Sequence, residues 1–184
     1  MTRIISGQIL LILCCAVYLI WWYRGFRPGV MASRVGGVNG VLLLITAALG
    51  LAGVIFSLTP VQAIKEPAIS QTFIVAGGII SYFLLLFVTK GLFHRLVTTE
   101  LFLIVGWTML ELVVVDRLYA MGALNGGGFG TVCIVIAAAF LISIVLYVAY
   151  YRMEEMRAFY AAMVPLVTEA AAMAVLTGVV LGAR

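Results

Sequence analysis

The stretch from Phe129 to Tyr151, FGTVCIVIAAAFLISIVLYVAYY, holds 23 consecutive residues without a charged side chain. About 20 apolar residues in a helix span the hydrocarbon core of a bilayer, which is about 30 Å thick. The apolar residues are continuous rather than alternating, which favours a helix over a strand of a membrane barrel. This stretch therefore predicts a membrane-spanning helix.

Five further apolar runs of similar length surround it. The six predicted helices cover residues 4–23, 38–58, 69–88, 98–119, 129–151 and 158–181. The composition is 65% hydrophobic and 10% charged, with a mean hydropathy of +1.25, which excludes a water-soluble globular domain. We predict an all-α fold, in which residues 1–184 form one transmembrane domain of six helices. The loops between the runs are too short for a folded domain outside the membrane.

The chain has a net charge of +4, and the positions of its basic residues indicate membrane topology rather than a nucleic-acid partner. Cytoplasmic loops of membrane proteins carry an excess of Lys and Arg. The first, third and fifth loops hold seven such residues, Arg24, Arg27, Arg34, Lys90, Arg95, Arg152 and Arg157, whereas the opposite side holds four, Arg3, Lys65, Arg117 and Arg184. We therefore expect the odd-numbered loops in the cytoplasm, both termini outside, and a location in a bacterial cytoplasmic membrane.

Two segments resemble each other within the chain. GGVNGVLLLITAAL, from Gly36, and GGFGTVCIVIAAAF, from Gly127, are identical at six of fourteen positions. Two units of three helices related in this way would have opposite orientations, as in the inverted repeats of many transporters. Chance identity among Gly, Ala, Val and Ile, which are common in membrane helices, is the alternative.

Two carboxylates interrupt the apolar runs and are the leading candidates for function. Glu111 lies about 20 Å along its predicted helix, at about 1.5 Å per residue from Thr98. Glu169 lies nearer to the cytoplasmic start of its predicted helix. An ionised carboxylate against lipid costs at least about 2.5 kcal/mol, so each should face the bundle, be paired, or be protonated. Binding of a cation or a proton would use these properties. A structural hydrogen bond between helices is the alternative reading.

Other polar residues accompany these two acids. Glu100 and Trp107 share one helical face with Glu111, because the spacing of seven and eleven residues returns to the same side of a helix. Thr168 adjoins Glu169, and Pro165 before them predicts a kink. We predict an ion- or substrate-binding site of Glu111, Glu169, Trp107, Thr168 and Glu100.

Charged residues near the membrane boundary have simpler interpretations. Arg24, Arg27 and Arg34 are candidates for contact with anionic lipid or another anion, although they also suffice as topology signals. Asp116, beside Arg117, is interpreted as half of an interfacial ion pair.

No catalytic, cofactor or metal-binding motif is present in the sequence. It has no paired aspartates of a membrane protease and no H-E-x-x-H, and Cys14, Cys15 and Cys133 form no C-x-x-C. We therefore predict no catalytic residue, no metal and no cofactor, and we expect a protein that is not an enzyme.

The sequence favours a small membrane transporter or channel for an ion or small solute, whose intramembrane carboxylates bind a cation or a proton. A non-catalytic membrane subunit or lipid-binding scaffold of a larger complex is the first alternative. An intramembrane enzyme that uses only Glu111 and Glu169 is the second. The expected partners are the lipid bilayer, anionic lipid, a small solute or ion, and further subunits as a homo-oligomer or larger complex, but not nucleic acid.

Overall fold

The computed structural model describes residues 2–28, 37–59, 63–93 and 99–182, without the side chains of Phe93, Thr99 and Glu100. This part of the chain forms helices and no strand. The helices are α1 (Thr2–Phe26), α2 (Gly37–Ser57), α3 (Gln71–Phe93), α4 (Thr99–Ala120), α5 (Gly126–Tyr150), α6 (Glu155–Ala161) and α7 (Val164–Gly182). The prediction of an all-helical chain is confirmed.

Most of these helices are long and apolar enough to cross a membrane. Five stretches meet that description: α1, α2, residues Gln71–Leu92 of α3, α5, and Glu155–Gly182, which includes both α6 and α7. The helix α4 has a similar length, but Glu111, Asp116 and Arg117 lower its apolar character. The chain is therefore a helical integral membrane protein, consistent with a bundle of five to six spanning helices.

The sixth predicted helix, residues 158–181, lies in two adjoining segments separated by a two-residue turn. The first segment, α6, ends at Ala161, and α7 begins at Val164. Pro165 lacks an N–H and its ring clashes with the carbonyl four residues earlier, which is that of Ala161. In the first turn of α7 the missing N–H costs nothing, because no helical partner exists there.

Four helices form the centre of the molecule. The central helix α7 packs against α1, α4 and α5, and α4 also packs against α5. On one flank α2 packs along α1, and on the other α3 packs along α4. The flanking helices expose large apolar side chains, such as Leu44 of α2 and Phe73 of α3, as expected of surfaces that face lipid.

Small residues bring α1 and α2 into close contact. A Cβ atom on Gly7 would lie 2.5 Å from Oγ of Ser57 and 2.8 Å from the carbonyl oxygen of Gly53. Beside this contact the side-chain amide of Gln8 donates a hydrogen bond to Oγ of Ser57 at 3.1 Å. Small residues of this kind allow membrane helices to pack without a hydrophobic driving force.

The end of the bundle that carries the loop between α2 and α3 and the loop between α4 and α5 is here called the even-loop face. Hydrogen bonds to the C-terminal end of α4 hold the loop between α2 and α3 in place. Oδ1 of Asp116 accepts the backbone N–H of Ile69 at 3.0 Å, and the carbonyl of Ala120 accepts the N–H groups of Ile64 and Lys65. Arg117 donates to the carbonyl of Thr59 at 3.4 Å. The ion pair interpreted for Asp116 and Arg117 is therefore replaced by bonds to the backbone of the loop between α2 and α3.

The connection from α4 to α5 is a short turn on the same face. Gly122 has a φ of 72°, a left-handed conformation that glycine adopts without strain. The side chain of Asn125 then caps α5, because its Oδ1 accepts the N–H of Gly128 at 2.7 Å. The helix therefore begins three residues before the predicted start at Phe129.

Candidate functional site

Glu111 lies in the interior of the bundle, on the face of α4 that turns away from lipid. The side chain is 2% exposed, and Val114, Val115 and Leu118 continue the same buried face. Neither Oε1 nor Oε2 of Glu111 has a hydrogen-bond partner among the described residues. A buried polar group without a partner is uncommon and costs stability, so its presence calls for an explanation.

Glu169 is the second buried acid, and α7 places it. It shares a buried face of that helix with Met173, Leu176 and Val180. The side chain is 5% exposed, so the carboxylate stays within the bundle and does not extend to the membrane surface. Oγ of Ser143 in α5 donates to its Oε1 at 3.4 Å, whereas Oε2 has no partner in the described part of the chain.

The two acids come together in the structure. The carboxylate of Glu111 interacts electrostatically with that of Glu169, and both interact with the thiol of Cys15 in α1. We define the acid site as Glu111, Glu169, Ser143, Cys15 and Trp107. Its members come from α1, α4, α5 and α7, the four central helices.

Trp107 contributes an aromatic wall to the acid site. It lies one helical turn before Glu111 on α4, and its ring packs against a cluster formed by Leu11, Cys15 and Met173. Its Nε1 is buried and has no hydrogen-bond partner among the residues that the structure describes. The site therefore combines one unsatisfied donor with three unsatisfied acceptor oxygens.

The remaining residues of the predicted site stand apart from these two acids or are not described. The hydroxyl of Thr168 donates to the carbonyl of Pro165 at 2.8 Å, which satisfies it within its own helix. Glu100 belongs to the first turn of α4, but its side chain is not among those described.

The predicted anion contacts lie at the opposite end of the bundle from the even-loop face. Arg24 and Arg27 are exposed at and just beyond the end of α1. Arg27 donates to the hydroxyl of Tyr23 at 2.7 Å, and its guanidinium lies 5.2 Å from the centre of that ring. Arg34 falls outside the described residues.

Sequence reasoning missed two members of the acid site. Ser143 is one hydroxyl within the apolar run 129–151, and Cys15 entered the sequence analysis only as a cysteine outside any C-x-x-C motif. No periodicity distinguishes either from an ordinary residue of a membrane helix. Their role depends on which helices pack together, because α5 brings Ser143 to α7 and α1 brings Cys15 to both acids.

The chemistry of the acid site is that of two carboxylates without a cation. No ion pair to Glu111 or Glu169 occurs within the described ranges, and those ranges hold no group of three His, Cys, Asp or Glu residues arranged to bind a metal ion. Such a site can hold a positively charged species, or a proton on one of the acids.

A cavity of about 440 Å³ opens at the end of the bundle that carries Arg24, here called the odd-loop face. It lies between the ends of α1 and α5 and the short helix α6. Aromatic rings form most of its wall; the lining residues are Trp22, Phe26, Pro28, Tyr150, Tyr151, Met153, Glu155, Ala158 and Phe159. The only charged side chain among these residues is that of Glu155. A ligand-sized space therefore exists on the face from which α6 leads towards Glu169.

Comparison with models of known families, with curated proteins and with solved structures gave no match. The geometry of the acid site and its position among the four central helices therefore carry the functional argument.

Proposed function

We propose that the protein is a small membrane transporter or channel for an ion or small solute, in which Glu111 and Glu169 bind a cation or a proton. The observation that carries this proposal is the pair of interacting, buried carboxylates with three oxygens that lack partners. Ionisable groups inside a membrane bundle are expensive and commonly mark ion pathways and proton relays.

The hydrogen bonding favours this function over a purely structural role. An acid that only ties helices together would use its oxygens in interhelical hydrogen bonds. The single such bond of the acid site joins Ser143 to Glu169 at the long distance of 3.4 Å, and Glu111 makes none among the described residues. The two acids therefore have binding capacity that the protein itself does not use.

The aromatic cavity is the proposed entrance to the acid site from the odd-loop face. It lies beside α6, and the interruption at residues 162–163 separates α6 from the helix that carries Glu169. Discontinuous helices recur at the substrate sites of transporters. In this protein the N–H groups of Ala162 and Met163 stay bonded within their own turn, to the carbonyls of Ala158 and Tyr160. In the proposed function a solute or ion enters through this cavity and reaches the carboxylates past the interruption.

The proposal includes an orientation and a location. The excess of basic residues supports an orientation with the odd-loop face in the cytoplasm and both termini outside. The proposed location is a bacterial cytoplasmic membrane. The 3+3 inverted repeat is supported by the sequence resemblance alone. The helix packing of the two halves differs, because α2 packs along α1, whereas α5, its counterpart, packs against both α4 and α7.

The exposed flanks favour a second candidate function. Leu44 of α2 is 72% exposed and Phe73 of α3 is 79% exposed, so both flanking helices leave broad apolar faces uncovered. These faces would serve a non-catalytic subunit or lipid-binding scaffold that docks within a larger complex, or the contact between copies in a homo-oligomer.

Flux in liposomes tests the leading proposal. The purified protein is reconstituted, and movement of H⁺, Na⁺ and K⁺ down imposed gradients is measured for the parent and for Glu111→Gln. We expect the variant to lose the flux, because the amide has nearly the same shape but neither ionises nor carries an exchangeable acid proton.

Glu66→Gln is the matched control, because Glu66 lies exposed in the loop between α2 and α3. Its flux should equal that of the parent. If Glu111→Gln conducts at the parental rate, the proposed mechanism is wrong. Native mass spectrometry of the protein extracted from its own membrane distinguishes the second candidate, which requires a stoichiometric complex with another polypeptide.

A further inference from the structure

The acid site offers fewer ligands than a divalent metal ion without bound water needs. Mg²⁺ takes six oxygens and Ca²⁺ takes six to eight, part of which bound water commonly supplies. Among the side chains that define the acid site, the oxygen ligands are the four carboxylate oxygens and the hydroxyl of Ser143, and the other polar groups are a thiol and an indole N–H.

Charge repulsion excludes two ionised carboxylates at this place. Glu111 and Glu169 interact electrostatically, and the dry interior screens that interaction poorly. Two like charges in one site cannot both persist, and one group then keeps its proton. Among the described residues, the titratable group that interacts with both acids is the thiol of Cys15 on α1. Arg117, the basic residue nearest in sequence to Glu111, is engaged with Thr59 at the even-loop face.

The hydrogen bonds distinguish the two acids from each other. Glu169 receives a hydrogen bond from Ser143, and a donor of this kind stabilises an ionised carboxylate. Glu111 receives none from the described residues, so its neutral form is the less costly one in the bundle. The hydrogen bonding therefore favours the negative charge on Glu169 and the proton on Glu111.

We propose that Glu111 and Glu169 hold one exchangeable proton between them, and that the ion carried by the acid site is H⁺ rather than a metal cation. This inference rests on the proposed function for its physiological role. In the transfer step the O–H bond of Glu111 breaks and a new O–H bond forms on Oε2 of Glu169, while the negative charge moves to Glu111. The carboxyl groups do not hydrogen-bond each other in this structure, so a change of side-chain rotamer precedes the transfer.

Infrared difference spectroscopy tests the inference directly. The protein in lipid is titrated while the carbonyl band of protonated carboxylic acids is recorded, in H₂O and in D₂O. We expect one such band at neutral pH, shifted in D₂O because the proton exchanges. Glu111→Gln should remove or displace that band, and Ser143→Ala should move the titration of the pair without removing the band. The exposed acid control, Glu66→Gln, should leave both unchanged.

Two results would overturn the inference. One is the absence of a protonated carboxyl band at neutral pH. The other is a band that added Na⁺ or K⁺ abolishes at constant pH, because that result means that a metal cation displaces the proton.

The outcome is separable from that of the flux experiment. If the carbonyl band behaves as expected but no H⁺ flux occurs in liposomes, the shared proton is supported and the transport proposal is contradicted. Flux of Na⁺ or K⁺ that needs Glu111, without H⁺ movement, would contradict the shared proton and retain transport. Circular dichroism of each variant confirms that the helices have formed.

Discussion

Burial of Glu111 costs free energy that hydrogen bonds from the described residues do not offset. A buried acceptor without a partner costs about 1–3 kcal/mol, and the structure gives Glu111 two such oxygens within the described residues. Sites retained for function often carry costs of this kind, and their removal commonly stabilises the protein at the expense of activity.

Replacing this acid with an apolar side chain of similar size should therefore stabilise the protein. We expect Glu111→Met to increase the free energy of unfolding by about 1–3 kcal/mol, since the methionine fills the same space and needs no partner. The measurement is the thermal unfolding midpoint in detergent. A lower midpoint than the parent would indicate that Glu111 ties helices together, which is the structural alternative.

How far the sequence predicts the acid site depends on the kind of residue. A glutamate within an apolar run is visible from the sequence because its burial is costly, and both Glu111 and Glu169 are indeed buried. Ser143 could not be identified in this way, since a serine is inexpensive in a membrane helix and satisfies itself locally in many positions. Thr168, adjacent to Glu169 in sequence, follows that local pattern.

At the scale of the elements, α1 and α2 make the most extensive contact between two helices in the described part of the chain. Gly7 faces the backbone of Gly53 and Ser57 so closely that no side chain fits between the helices. Two of the three atoms that a Cβ on Gly7 would meet, the nitrogen of Ser57 and the carbonyl oxygen of Gly53, belong to the backbone and cannot rotate away. The two helices would have to move apart to accept even a methyl group.

We expect Gly7→Ala to reduce the free energy of unfolding by about 1–3 kcal/mol, because overpacking forces the backbones apart. Thermal unfolding in detergent measures the change. Gly40→Ala is the matched control, since a Cβ on Gly40 of α2 meets nothing within 4 Å. Equal midpoints for the two variants would contradict the close packing described for α1 and α2.

The extents of most helices follow from the apolar runs, but two ends do not. The start of α5 at Gly126 depends on the cap from Asn125. This cap stabilises a helical first turn in a glycine-rich segment that would otherwise favour a loop. The interruption after Ala161 was predicted only as a kink, because the effect of Pro165 depends on whether the neighbouring helices restrain the segment. In this fold α6 stays at the odd-loop face, beside the aromatic cavity.

At the scale of the whole molecule, the arrangement of charges predicts an orientation in the membrane. Ser70 lies at the even-loop face and Arg152 at the odd-loop face, and both are exposed. The positive-inside rule expects Ser70 outside the cell and Arg152 in the cytoplasm.

Cysteine labelling measures this orientation. In a background with Cys14, Cys15 and Cys133 replaced by alanine, we expect a membrane-impermeant maleimide to label Ser70→Cys in intact cells. It should label Arg152→Cys only after the cells are opened. The reverse pattern would place both termini in the cytoplasm.

The central position of α7 has a consequence for synthesis. Helix α4 leaves the ribosome before α5 and α7, so Glu111 reaches the bilayer before Ser143 and Glu169 do. A lone acid at mid-membrane costs about 2.5–3.5 kcal/mol on insertion, and α4 carries Asp116 and Arg117 as well. The hydrophobic helix α3, which packs along α4, is already present to accompany it. Helix α4 thus depends on its predecessor for insertion, and the acid site is completed only when α7 arrives.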